Sequence, residues 1–373
     1  MNPSAFFADY DAFGERRTGG EGDAAAAEWL CRRAAAAGAE ARLLPVAFTR
    51  LLPGEAVLTA AGARFEGLPL FDGGLTEGIE GALGPLGSDA PIGFAEMDPA
   101  AASLPGNAFA QARAQSRHAG IVIALRTKPD GLAPLNAHDA EAPFGPPVLQ
   151  VAGRDAAAIG ALAAAGAPAR LVVQGRRVPG LSHSIRAELP GAAPPLVLLT
   201  PRTSWWTSTA ERGGGILAWL AALGALSGAA RARGVVGLAT CGHELGHIGA
   251  HRAFAAEPWL ATDAPVVIHL GANLGAAEDA RLTVRSNVAG LAERMADALA
   301  AAGHPREPLE VVTGGTANGE AHEVAARGGR YLSLIGRNPW FHAPEDRWPV
   351  SVDGARAGSI AAAVAAMAVE LAR

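Results

Sequence analysis

Two textures of hydrophobic patterning divide the chain. Over residues 51–179, short apolar runs such as PIGFAEM, GIVIALR, PPVLQVAG and ARLVVQG are separated by Gly- and Pro-rich stretches, which predicts the strands of a small β-rich unit. One helix-like segment, RDAAAIGALAAAG, stands among them. From about residue 182 the rhythm changes to apolar runs alternating with helix-length segments: PPLVLLT before GGGILAWLAALGALS, GVVGLAT before a helix through His251 to Phe254, APVVIHLG before NVAGLAERMADALAAAG. LEVVTG then precedes GEAHEVAARG, and YLSLIG precedes SIAAAVAAMAVELA. Uninterrupted apolar strands alternating with helices imply a mostly parallel mixed sheet with helices on both faces. GDAAAAEWLCRRAAAAG, stopped at Gly38, adds an amphipathic helix followed by a short strand. The expected class is therefore α/β, with a core formed by residues 1–50 and 180–373 and a β-rich insert over 51–179.

Composition narrows this picture. Half of the 373 residues are hydrophobic but only 5% are aromatic, which suits small-residue helices packed on a sheet. A formal charge of -5 and the lack of a Lys/Arg run point away from nucleic acid and membrane surfaces. The two cysteines, Cys31 and Cys241, make no disulfide framework, and the start shows no basic segment followed by an apolar one. A cytoplasmic protein acting on a small molecule or short peptide is the expectation.

Ligands of such sheets gather at the carboxyl ends of the strands. Arg202, Ser204, Glu211 and Arg212 follow LVLLT; His243 and Glu244 follow VVGLAT; His269 lies inside VVIHLG; Arg337, His342 and Glu345 follow YLSLIG. His243-Glu244-x-x-His247 has the letters of a zinc-protease helix, in which two histidines share one face. Here, however, the motif follows directly on a β-strand run, and Ala250 and Ala253 stand where the extended pattern needs Gly and His.

GLATCGHELGHIGAH instead resembles the strand-end motif of the zinc aminopeptidase family that includes glutamate carboxypeptidases and glutaminyl cyclases. Gly242, Glu244, Gly246, Gly249 and Ala250 match it, with His243 in place of its first glutamate. FHAPEDRW is similar to the family's closing stretch, SIRAELPG to its entry strand, and 51–179 to a protease-associated insert. The resemblance implies a zinc-exopeptidase-like fold. It also implies that Glu211, Glu244 and His342 hold one zinc ion, since Arg202, Ser204 and Gly271 fall where other ligands belong. Three protein ligands with an open fourth position would suit a catalytic zinc. His243 falls at the general base and could equally become a ligand, and His269 is a possible replacement ligand.

Arg202 and Arg212 are expected to bind a carboxylate-bearing substrate, with His322 flanking it. Trp205 and Trp206 would wall the site or simply pack, while His247 and His251 read as packed or surface histidines. The functional expectation is a metal-dependent hydrolase of an amide or peptide bond in a small substrate. The alternatives are a non-catalytic binding module and a single-zinc acyl transferase or cyclase.

Overall fold

The computed structural model describes residues 1–98, 107–127, 130–264, 266–279, 281–305 and 308–373. Helices α1 (Pro3–Asp11) and α2 (Glu21–Ala36) come first. Strands β1 (Glu40–Ala60), β2 (Ala63–Pro69), β3 (Thr76–Pro85) and β4 (Ile92–Met97) follow, then α3 (Ala108–Ala114), β5 (Gly120–Leu125), β6 (Val148–Ala152) and α4 (Ala156–Ala164). The second half runs β7 (Pro168–Leu189), β8 (Ala192–Pro201), α5 (Thr209–Gly228), β9 (Arg233–Thr240), α6 (Ile248–Ala256), α7 (Trp259–Thr262) and β10 (Val267–Leu270). It closes with β11 (Leu282–Ser286), α8 (Leu291–Ala301), β12 (Leu309–Thr313), α9 (Glu320–Ala326), β13 (Tyr331–Gly336) and α10 (Gly354–Leu371).

The core sheet has the order β7-β9-β8-β10-β13-β11-β12. Its centre, β9-β8-β10-β13, is parallel, and β7 and β11 join it antiparallel. Helices cover both faces, as the apolar strands predicted. On one face Phe6, Leu30, Trp219, Leu223, Ile360 and Met367 form a single buried cluster from α1, α2, α5 and α10. On the other, Phe254, Leu260 and Val324 from α6, α7 and α9 pack on Val197, Leu238 and Val267. Helix α10 has the length and apolarity of a membrane span, yet its Ile360, Val364 and Met367 are spent on this core.

The inserted strands close on themselves. The order β1-β2-β6-β5-β4-β3-β7, together with the β1–β7 pairing, makes a ring of seven strands. Its interior holds Leu58, Ile92, Val122, Val151, Ile159 and Val173. The composition boundaries near residues 51 and 179 fall inside β1 and β7, not between elements. These two strands pair from Glu40↔Glu188 to Ala60↔Ala169, so one long ribbon serves core and ring alike.

Helix α5 lies against the sheet through glycine. A Cβ on Gly214 would fall 1.5 Å from the Leu274 carbonyl oxygen, whereas one on Gly224 meets nothing within 4 Å. Gly214→Ala is therefore expected to destabilise the protein by about 3 kcal/mol or more, by overpacking against fixed backbone. Gly224→Ala, at an exposed helical position, should stabilise by about 0.5–1 kcal/mol. Chemical denaturation of the two variants checks both signs.

Candidate functional site

Three loops at the carboxyl ends of the core strands surround the cluster, 202–208 after β8, 241–247 after β9 and 337–347 after β13, together with the starts of α5 and α9 and the end of β10. Helix α5 starts from Ser208, which sits in the left-handed region (φ 46°) and gives the helix no side-chain cap of its own. Asp346 of the third loop replaces that cap. Its carboxylate accepts from the amides of Ala210 (2.9 Å) and Glu211 (3.0 Å), and its carbonyl accepts from the Thr209 amide (3.0 Å). An anion at a helix start is also favoured by the helix dipole. Burial, the dominant cause, nevertheless pushes the Asp346 pKa up to about 6.

That cap delivers Glu211 to His342. The His342 Nε2 lies 3.6 Å from Glu211 Oε1, and both residues are fully buried. His342 itself adopts a left-handed backbone (φ 62°), an uncommon state for a residue with a side chain. Its Nδ1 donates to the Pro134 carbonyl at 2.6 Å, which leaves Nε2 of the neutral ring as an acceptor. Phe341 stacks on the imidazole at 3.8 Å between ring centroids, and Trp206 Nε1 donates to the His342 carbonyl at 2.9 Å.

Arg212 is the fixed cation of the cluster. Its Nε donates to the Thr203 carbonyl at 2.8 Å, and its Nη2 lies 2.7 Å from Glu211 Oε1. Burial would raise the Glu211 pKa, but the adjacent guanidinium and His342 bring it below the usual carboxylate value. Burial first and then Arg212 hold His243 well below the ordinary imidazole range, and burial also lowers His342. His269, pushed down by burial, His247 and Arg212, reaches about 3.

On the other side of the cluster His243 Nδ1 faces Glu320 Oε1 at 3.7 Å. Both Glu320 oxygens lie 2.7 Å from the Thr240 hydroxyl, and burial raises this carboxyl's pKa. A Cβ on Gly319 would fall 3.2 Å from His269 Cε1 and 3.9 Å from His243 Cε1, so the glycine lets the α9 start approach both rings. His269 Nδ1 is bonded to the Ser333 hydroxyl at 2.8 Å. The structure thus brings together Glu211, Arg212 and His342, and beside them His243, His269 and Glu320.

Other expected residues have different surroundings. Glu244 Oε1 accepts from the Thr18 amide (2.8 Å) and hydroxyl (2.6 Å), and Oε2 accepts from the Thr203 hydroxyl (2.8 Å). Thr18 and Thr203 in turn accept from the Gly242 amide, so Glu244 locks the turn after β9 to the N-terminal loop. Arg202 has all three guanidinium nitrogens engaged, by the His183 carbonyl, the Ser182 hydroxyl and Asp23, whose carboxylate is 2.6 Å from Nη1. It is a buried clamp between β7, β8 and α2, which corrects its expected place at the substrate. His322 is half-buried on α9, and its ring joins none of the cluster's bonds. His247 and His251 pair with Glu323 at 3.2 and 3.5 Å, in line with a packing role. Trp205 is buried against Phe71.

The zinc site expected from Glu211, Glu244 and His342 does not fit this geometry. Glu244 has both oxygens occupied by three donors, Arg212 already sits against Glu211, and among the described residues no group of three or more His, Cys, Asp or Glu is arranged to hold a metal. Glu320, Thr18, Thr203 and Pro134 were not anticipated from the sequence; only the glycine-rich stretch TGGTANGE ahead of α9 hinted at the close approach that Glu320 uses.

No family model and no curated protein matches the sequence. Solved structures do match the fold. An aminopeptidase from Aneurinibacillus sp. strain AM-1 is 15% identical and superposes with a TM-score of 0.74 over 100% of this chain and 93% of its own. A zinc aminopeptidase from Bacillus subtilis is 16% identical, with a TM-score of 0.75 over 99% of this chain and 93% of its own. A glutaminyl cyclase from Porphyromonas gingivalis is 11% identical, with a TM-score of 0.53 over 98% and 96%. The chain therefore has the zinc aminopeptidase fold, as its sequence resemblance implied.

The depressed imidazoles carry a stability cost in acid. A histidine whose folded pKa is lowered contributes stability above its unfolded value that is lost as pH falls toward the folded one. With His269 at about 3 when folded, its share should fall by about 2 kcal/mol between pH 7.5 and 5. Denaturant unfolding at the two pH values should show this loss, and His269→Gln should lack that share of it.

Proposed function

We propose that the chain binds a small substrate carrying both a carboxylate and an N–H group at the Arg212–Glu211–His342 cluster, and hydrolyses its amide bond. One observation carries the reading: buried donors and acceptors without hydrogen-bond partners are concentrated here. Apart from the Arg212 Nη2–Glu211 Oε1 ion pair, they are Arg212 Nη1, Glu211 Oε2, His342 Nε2, His243 Nδ1 and His269 Nε2. Each such group left without a partner costs about 1–3 kcal/mol, which a complementary ligand would recover. Arg212 Nη1, the guanidinium nitrogen engaged by neither Thr203 nor Glu211, can donate to a carboxylate. Glu211 and His342 Nε2 are acceptors suited to an amide or ammonium N–H.

In this reading His243 does the proton work. Held neutral at pH 7, it takes a proton from the attacking water as the water oxygen bonds to the amide carbon. It returns the proton to the amine as the C–N bond breaks. Glu320, 3.7 Å from its Nδ1, would stabilise the transient imidazolium. No step is assigned to zinc, because the donor set does not accommodate it. The amide chemistry is supported by the fold shared with peptidases and a cyclase; fold alone does not fix a reaction.

A second reading, a binding module without turnover, is favoured by the commitment of Glu244 to Thr18 and Thr203. Mass-spectrometric detection of products from a panel of N-acyl amino acids and small amides, with and without a chelator, tests both. Turnover that survives chelation is expected; turnover abolished by chelation refutes the metal-free assignment. Binding without products favours the module. Arg212→Lys, which keeps the charge but loses the Nη1 donor aimed by the bonds to Thr203 and Glu211, should raise KM about 10-fold or more. His243→Asn should lower kcat by about 100-fold.

A further inference from the structure

We propose that the buried ion pair between Asp72, in the loop after β2, and Arg113 of α3 is a positioning latch that orients the His342 ring of the cluster through residues 134–140. Asp72 Oδ1 lies 2.8 Å from Arg113 Nη1, with side chains only 1% and 3% exposed. The second Asp72 oxygen accepts from the amides of His138 (2.6 Å) and Asp139 (3.3 Å), and its carbonyl accepts from the Phe144 amide (2.9 Å). Arg113 lies 3.7 Å above the Phe144 ring. The pair therefore grips the segment at two places six residues apart, 138 and 144. Upstream, Gln150 of β6 accepts from the Leu135 amide at 2.7 Å and donates to the Pro69 carbonyl at 3.1 Å.

The opposite side of the segment meets all three loops of the cluster. The Pro134 carbonyl accepts from His342 Nδ1, and Asn136 Oδ1 accepts from Trp205 Nε1 at 3.0 Å. The Ala137 and Ala140 amides donate to the carbonyls of Glu244 (2.9 Å) and Leu245 (3.2 Å). Gly246 makes this approach possible, since a Cβ there would fall 2.5 Å from the His138 carbonyl oxygen. Through Pro134 the segment decides which ring nitrogen of His342 carries the proton, and hence that Nε2 faces Glu211 as an acceptor. A buried ion pair is weak evidence for stability, whereas a carboxylate that aims two backbone amides defines geometry.

The role needs neither a substrate nor a metal, so its test is separate from that of the proposed hydrolysis. Asp72→Asn keeps the shape and removes the charge. Asp72→Asn combined with Arg113→Met removes both charges, so the test survives if the single variant leaves a lone guanidinium and does not fold. Two readouts apply: hydrogen exchange by peptide, and the ¹⁵N shifts of the His342 ring. The latch predicts at least 10-fold faster exchange over 135–140 with β5 and β6 protected as before. It also predicts that His342 moves from one fixed tautomer to a mixture. Unchanged protection over 135–140 with His342 still fixed would overturn it. So would a loss of protection spread evenly over β4, β5 and β6, which a purely structural ion pair would give.

Discussion

The contact between Asp346 and the first turn of α5 holds the site together. A helix that starts from a left-handed serine has amides without partners, and this one finds them on a loop more than a hundred residues away in the chain. A cap of this kind contributes about 1 kcal/mol in ordinary settings. Its geometric effect is larger than its energy: the Glu211 amide is itself bonded to Asp346, and His342 stands four residues before Asp346, so the cap sets His342 beside Glu211. Asp11 reinforces the same junction by accepting from Thr209, Arg347 and the Trp348 amide. The carboxylates around the cluster are thus divided between those that build it and those that face a ligand.

That division keeps the shape of the scaffold while engaging several of its acids within the protein. Glu244 anchors the N-terminal loop, and Asp23 neutralises Arg202 under the sheet edge. Glu211 is left to balance Arg212, so the charge at the centre is supplied covalently by the chain. A guanidinium cannot expand its coordination or acidify water as a bound dication can, but it offers directional N–H donors at every pH at which the protein is folded. Burial first, and then the fixed positive charge of Arg212, keeps the surrounding histidines neutral.

Much of this was legible in the sequence because strand ends in an open α/β sheet collect ligand-facing residues. Glu211, Arg212, His243, His269 and His342 could be picked out by position alone, and they do meet. Arg202 could not be interpreted the same way, because its partners are backbone carbonyls and an acid on α2, which leave no local pattern. Pro134 was invisible for a related reason: its contribution is a carbonyl oxygen that any residue possesses. Glu320 sits in a helix of ordinary pattern, and only the close approach of Gly319 to two imidazoles sets its carboxylate against His243. The strands β1 and β7 were read as shorter than they are, since proline and glycine interrupt their patterning while the partner strand sustains the pairing.

That ribbon has a mechanical consequence. Two paired strands that pass from one module into the other, with one irregularity in register between Pro53 and Ala56, resist twisting and sideways bending more than a pair of loose tethers would. A swing of the ring as an independent lobe would have to bend this shared ribbon. Movement of the loops at the strand ends would open the buried cluster without disturbing that pairing.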